Sequence, residues 1–201
     1  GANPETGEMD SKKLEDQVAT ALDKVRMALE EAGTSLSHIV KITNYIKEVK
    51  DYPRMQKTEL AYLQKHAPLL LQEPPACTLV QPRCMDDPRF LAGMDVIGII
   101  SLDEPGWEVK RYPAFRGGEK QPYSKFVTVG NLLLASAIGP ENPDTGNVET
   151  DNLEKQLLAV HGNMKRTLEE AGSSMNNIVK VFHHLREGGL RRPMWKSELE
   201  Y

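Results

Sequence analysis

Two cysteines, Cys77 and Cys84, are all that the chain contains. They lack the paired spacing of a zinc site, and a disulfide scaffold needs more of them. No apolar run approaches the roughly 20 residues that span a bilayer. Neither sign of charge dominates: 25 Lys and Arg stand against 29 Asp and Glu, for a net charge of −4. That balance offers no concentrated basic surface for phosphate, and the step Arg191-Arg192 is too short to change it. Nucleic acid and membrane are therefore not expected as partners. The opening residues, Gly1 to Gly7, show neither a basic nor an apolar signal region, and the expected setting is a reducing cytoplasm. What is present is ordinary globular chemistry, 39% hydrophobic over 201 residues, enough for one large domain or two small ones.

The strongest positive signal is an internal repeat, which constrains architecture before any local reading does. Asn-Pro-Glu-Thr-Gly at Asn3 to Gly7 returns as Asn-Pro-Asp-Thr-Gly at Asn142 to Gly146. Leu29-Glu30-Glu31-Ala32-Gly33 returns as Leu168-Glu169-Glu170-Ala171-Gly172, and Ile39-Val40-Lys41 as Ile178-Val179-Lys180. Lys57, Glu59, Leu60 and Tyr62 return as Lys196, Glu198, Leu199 and Tyr201, all at one constant offset.

Each copy predicts the same elements. Leu14, Val18, Leu22, Val25 and Leu29 fall at helical spacing, as do Leu153, Leu157, Met164 and Leu168. Gly33 and Gly172 stand where a helix takes a left-handed C-terminal residue. The β-branched runs Ile39–Ile46 and Ile178–Leu185 predict strands. Pro53 suits the first turn of a second helix over Arg54–His66; its counterpart begins near Pro193. Met55 and Met194 match and are expected in the core. Further strands are predicted at Thr78–Gln81, Met94–Ser101, Trp107–Tyr112, Phe126–Val129 and Leu132–Ile138, with Gly130-Asn131 as a hairpin turn. Asp103-Glu104-Pro105-Gly106 is the expected linker, dividing residues 1–104 from 105–201. On this reading the first copy lacks its opening strands and the second its closing strands. Either the chain is trimmed from a longer tandem protein or another chain completes each sheet; trimming is preferred, because an open sheet edge invites aggregation.

The run Leu29 to Lys41, repeated at Leu168 to Lys180, resembles the central signature of the reactive intermediate deaminase (Rid, YjgF-like, endoribonuclease L-PSP-like) family. Pro122-Tyr123-Ser124 followed by Leu134-Ala135-Ser136 resembles the family's opening hairpin, and Asn142 to Gly146 the loop after it. The resemblance covers most of the chain. It implies an α+β fold of two chorismate-mutase-like modules, each a mixed sheet backed by two helices. It further implies a trimer or pseudo-trimer of modules with clefts between neighbours, and hydrolysis of reactive enamines and imines to 2-keto acids and ammonia. No metal or organic cofactor is implied.

Carried over residue by residue, that site is altered. Pro75-Ala76-Cys77-Thr78 aligns with the family's Pro-Ala-Arg-Ser/Thr, so Cys77 replaces an arginine whose planar fork grips the substrate carboxylate. Ile97 stands where active members carry a water-positioning glutamate, and isoleucine cannot move a proton. Asp95, two residues away and so on the same strand face, is an alternative carboxylate. Tyr123 matches the family's cleft tyrosine, and Ser136 the serine before a substrate-binding backbone amide, where Ala137 replaces glycine. Glu59 and Glu198 occupy a helix position that is commonly asparagine. Arg83 is a candidate replacement cation, against a plain reading as a solvated loop residue. Cys77 is a small strand residue or a nucleophile, and no nearby sequence feature lowers its pKa. Tyr123 and Ser136 are equally compatible with packing. His183-His184 point to opposite strand faces and read as surface residues, not a metal site.

Three functions are therefore in view, all with a small-molecule ligand: an imine or enamine hydrolase with a divergent site; a Rid-fold enzyme using Cys77 or Asp95 in other chemistry; and a non-catalytic binding or scaffold module. The first is the preferred expectation, with water adding to a protonated C=N carbon held by Tyr123, Ser136 and backbone amides. A ribonuclease role lacks both a basic groove and a histidine pair at acid–base spacing.

Overall fold

A computed structural model describes residues 8, 11–100, 107–186, 191, 192, 194 and 195 of the chain. Helix α1, Leu14–Glu31, buries Leu14, Val18, Leu22 and Leu29 along one stripe. Gln17 shares that stripe and is buried without loss. Its side-chain oxygen accepts from the Leu91 N–H at 2.8 Å and its amide donates to Arg89 O at 3.2 Å, so α1 fastens a distant loop. The helix ends on Gly33 at φ 79°. Gly33 N–H donates to Glu30 O, and Thr34 N–H to Leu29 O at 2.8 Å, the paired bonds of a Schellman cap.

A 3-10 turn, Leu36–His38, leads into strand β1, Ile39–Ile46. Helix α2, Tyr52–His66, carries Pro53 in its first turn, and a short helix α3, Leu69–Gln72, which the sequence pattern does not announce, follows. Strands β2, Ala76–Val80, and β3, Ala92–Gly98, come next. Then come β4, Val109–Arg116, β5, Glu119–Val129, and β6, Leu132–Ala135. Every strand predicted between the copies is present, although β4 ends at Arg116 and not Tyr112 and β5 starts at Glu119 and not Phe126.

The sheet has six strands, ordered β3-β1-β2-β5-β4 with β6 also on β5. It is mixed: β1 lies parallel to β2 and antiparallel to β3, β2 meets β5 in parallel through Ala76 and Ser124, and β5 and β6 are antiparallel. Gly130, at φ 56°, turns β5 into β6, so Val129 faces Leu132. Asn131 keeps a negative φ, the sign pattern of a II′ hairpin. Gly117 and Gly118, at φ 56° and 83°, turn β4 into β5. Two apolar clusters join helices and sheet. One gathers Leu29, Leu36, Ile39, Ile42, Leu63 and Leu70, the other Leu14, Val18, Leu22, Ile46 and Met55.

The chain divides into two compact units, one comprising Gly1–Ala114 and Gln121–Ala137, the other Phe115–Lys120 and Ile138–Tyr201. This differs from the expected division at residue 104. Strands β4 to β6, assigned from sequence to the second module, are hydrogen-bonded into the sheet built by β1 to β3. The physical reason is that β2 would otherwise leave an open edge, and β5 pairs with it.

In the second unit, α4, Leu153–Glu170, opens on Asn152, whose side chain accepts from Lys155 N–H at 3.0 Å. It repeats the Schellman bonds of α1 at Gly172, φ 76°, and a 3-10 turn, Met175–Asn177, follows. The repeated Asn-Pro-Asp-Thr-Gly is a loop wound on Asn142, whose side-chain oxygen accepts from the N–H groups of Asp144 and Thr145. Its first copy lies outside the described residues. The strand expected at Ile178–Leu185 does not form: these residues are irregular, and Val179 is 86% exposed. His183 and His184 are exposed, and Met55 and Met194 are both buried. Residues 191, 192, 194 and 195 are helical; Pro193 and 196–201 lie outside the described residues.

Candidate functional site

One cleft of the first unit is lined by residues from four elements. Tyr52, Gln56, Glu59, Leu60 and Leu63 come from α2, Ile42 from β1, Cys77 from β2, and Pro122 and Tyr123 from β5, with Leu70 and Pro75 closing the end. The α2 residues recur every three or four positions, so one helix stripe faces the cleft. Of the sequence candidates, Glu59, Cys77 and Tyr123 are brought together here. The free volume is about 30 Å3, room for roughly one or two waters or a single small polar group.

The centre of the site is a buried polar cluster. Asn44, fully buried on β1, donates from Nδ2 to Glu59 Oε2 at 3.1 Å and lies 3.9 Å from Cys77 Sγ. Its Oδ1 is buried and has no hydrogen-bond partner. Burial pushes the Glu59 carboxyl up to about 7, and the Asn44 hydrogen bond offsets only part of that. Burial, followed by the nearby Glu59 carboxylate, pushes the Cys77 thiol up to about 12. At neutral pH Cys77 is a thiol, which removes the thiolate a nucleophile needs. Gln56 donates to the Tyr52 hydroxyl at 3.1 Å. Burial, with the Cys77 and Glu59 charges, keeps that hydroxyl protonated well above its usual range.

Ser136 and Ala137 serve the backbone of β2. Ser136 Oγ accepts from Cys77 N–H at 2.7 Å and donates to Ser124 O at 2.6 Å, while Ala137 N–H donates to Cys77 O at 3.1 Å. The amide expected to meet substrate is thus engaged with β2. These bonds fix the strand that carries Cys77.

Asp95 is on the wrong face to join Cys77. It pairs with Thr43, whereas Cys77 pairs with Ile42, and adjacent strand residues point to opposite sides. Asp95 is exposed and accepts from the Tyr45 hydroxyl at 2.8 Å. Ile97 shares that face and is 45% exposed. Lys41 does too, its ammonium donating to Thr78 Oγ1 and Ala135 O. Arg83 is exposed on the loop between β2 and β3 and is not among the lining residues. Glu198 lies outside the described residues. Sequence reading missed Asn44, Tyr52 and Gln56. Asn44 carried a signal: it interrupts an otherwise apolar column, Ile42, Asn44, Ile46, on one strand face.

Comparison with known proteins places the chain in a family. The endoribonuclease L-PSP family model matches residues 1–100 and 118–187. A RutC family protein of Pyrococcus abyssi is 38% identical over 66 residues, 33% of this chain and 52% of the relative. Another, from Pasteurella multocida, is 41% identical over 60 residues, 30% of this chain and 46% of the relative. The chain thus spans about half the length of the curated relatives it matches. Among solved structures, the YjgF gene product of E. coli is similar at 26% identity and a TM-score of 0.43, covering 49% of this chain and 72% of that one. No described helix is long and apolar enough to cross a membrane. The matched segments span most of the sequence, and the chain belongs to the endoribonuclease L-PSP, or YjgF-like Rid, family.

Proposed function

We propose that the protein hydrolyses the C=N bond of a reactive imine, or of the imine to which an enamine tautomerises, releasing ammonia and a carbonyl compound, with Glu59 as its acid–base group. The observation that carries this reading is a buried carboxyl, held by Asn44 in a cleft and titrating near 7. A general acid–base catalyst works best when its pKa lies near the operating pH. In the proposed step the Glu59 carboxylate takes a proton from water as the water oxygen bonds to the iminium carbon. Glu59 returns that proton to the carbinolamine nitrogen, the C–N bond breaks, and ammonia leaves as the hydroxyl gives its proton back to the Glu59 carboxylate and becomes the carbonyl. Tyr123 and Tyr52 orient the nitrogen-bearing carbon; Cys77, kept as a thiol, shapes the cleft without charge. Family membership supports the reaction class, and no cofactor is needed for the step as written.

The test supplies two kinds of imine, 2-imino acids made in situ by an amino-acid oxidase and carboxylate-free imines made by an amine oxidase. Ammonia release faster than the uncatalysed rate for either is expected, with Glu59→Gln lowering turnover by about 10²–10⁴-fold. Absence of acceleration for both overturns the hydrolase and leaves a small-molecule-binding module.

A further inference from the structure

We infer that the cleft is selective for a nitrogen cation carried without an adjacent carboxylate: an amine-derived iminium or ammonium group, held by Glu59 with Asn44 behind it. This rests on the acid–base role proposed for Glu59, yet it is a statement about binding and stands or falls without turnover.

The cleft holds one carboxyl, Glu59, with the Asn44 side chain hydrogen-bonded behind it. Glu59 is the one ionisable group of full formal charge among the lining residues, and it is 9% exposed. Asn44 Oδ1, wholly buried beside it, has no donor of its own. A buried carboxylate gains from the charge-assisted hydrogen bond that an incoming N–H supplies. A carboxylate entering the same space meets Glu59 instead, and like charges in a desolvated site repel strongly. Two tyrosines, Tyr52 and Tyr123, also line the cleft, and aromatic rings attract cations in preference to anions. Volume agrees with charge: about 30 Å3 admits an ammonium or iminium head and leaves the remainder of the ligand at the mouth.

Charge also sets the pH dependence. The groups facing Glu59 are Tyr52 and Gln56 on α2, Asn44 on β1, Cys77 on β2 and Tyr123 on β5, and Tyr52 and Cys77 both stay protonated at neutral pH. Of Glu59, Tyr52 and Cys77, Glu59 is the group that changes charge there. A cation therefore binds more tightly as pH rises from 6 to 8, and its binding releases a proton.

The experiment compares n-propylammonium with propionate, of similar length and opposite charge, by calorimetry on the full chain. Propylammonium is expected to bind at least tenfold more tightly at pH 8 and several-fold more weakly at pH 6. Glu59→Gln, nearly isosteric, is expected to erase both the preference and its pH dependence. Equal or tighter binding of propionate overturns the inference, as does a preference that survives Glu59→Gln. Failure of imine hydrolysis with the cation preference intact removes the hydrolase reading alone.

Discussion

The two copies of the repeated segment share sequence and local geometry, yet among the described residues only one becomes part of a sheet. Helices α1 and α4 are both 18 residues long, end on glycines at φ 79° and 76°, and lead to 3-10 turns of three residues. Beyond that point they part. Ile39–Ile46 is a strand, buried at Ile39, Val40, Ile42, Asn44 and Ile46, because β2 and β3 flank it on both sides. Residues 178–185 hold three β-branched residues against five in β1 and, among the described residues, no paired strand. The comparison separates two kinds of information. Helices and caps are written locally, in 3.6-residue spacing and a glycine at the right place. A strand is specified only with its neighbours, since its backbone hydrogen bonds are made by other parts of the chain.

That contrast can be broken by experiment, most sharply by amide exchange. Protection in β1 is expected to exceed that of residues 178–185 by a factor on the order of 10³ or more, as core strands open only with the whole unit. Comparable protection, read by mass spectrometry or NMR, removes the contrast. A matched pair of substitutions comes next. Ile42→Ala, at 2% exposure, is expected to cost about 2–5 kcal/mol. Its counterpart Val181→Ala, at 43% exposure, is expected to stay within about 0.5 kcal/mol. Denaturant unfolding measures both.

Glu59 adds a pH signature to the sheet-forming copy. Its folded pKa, about 7, lies above the ordinary 4.5, so the folded state holds its proton more tightly than the unfolded one. The stability this contributes is full below pH 4.5 and is lost as pH rises through 7, a change of about 3 kcal/mol. Glu59→Gln is expected to flatten that part of the stability–pH curve; an unchanged curve places the titration elsewhere. The smallest effect is one in which the copies should agree. Gly33→Ala and Gly172→Ala meet open space but a left-handed backbone, and each is expected to cost about 1 kcal/mol. Unequal costs in thermal unfolding would show that the two caps differ after all.

Much of this structure was legible in the sequence, and the illegible parts have physical reasons. Helix limits, glycine caps, the Gly130 turn and the positions of β2 to β6 follow from local pattern. The Gly117-Gly118 turn carried an equally plain signal that went unread. Which module β4 to β6 complete could not be read locally, because pairing joins Ala76 to Ser124 across the intervening chain. At the site, Glu59, Cys77 and Tyr123 were found through resemblance to a family pattern. The pairing of Glu59 with Asn44 was not, since that contact depends on how α2 lies over β1. Asp95 and Cys77 were considered as alternative reactive groups, but their opposite faces required the register of β1 against both neighbours.

The proposed chemistry depends on a carboxyl at the cleft that changes protonation in the neutral range. The direct measurement is the Glu59 side-chain carboxyl 13C shift followed by NMR as pH is varied. A single titration with its midpoint near 7 is predicted, whereas a midpoint at the ordinary value near 4.5 would contradict both the buried acid–base group and the chemistry built on it.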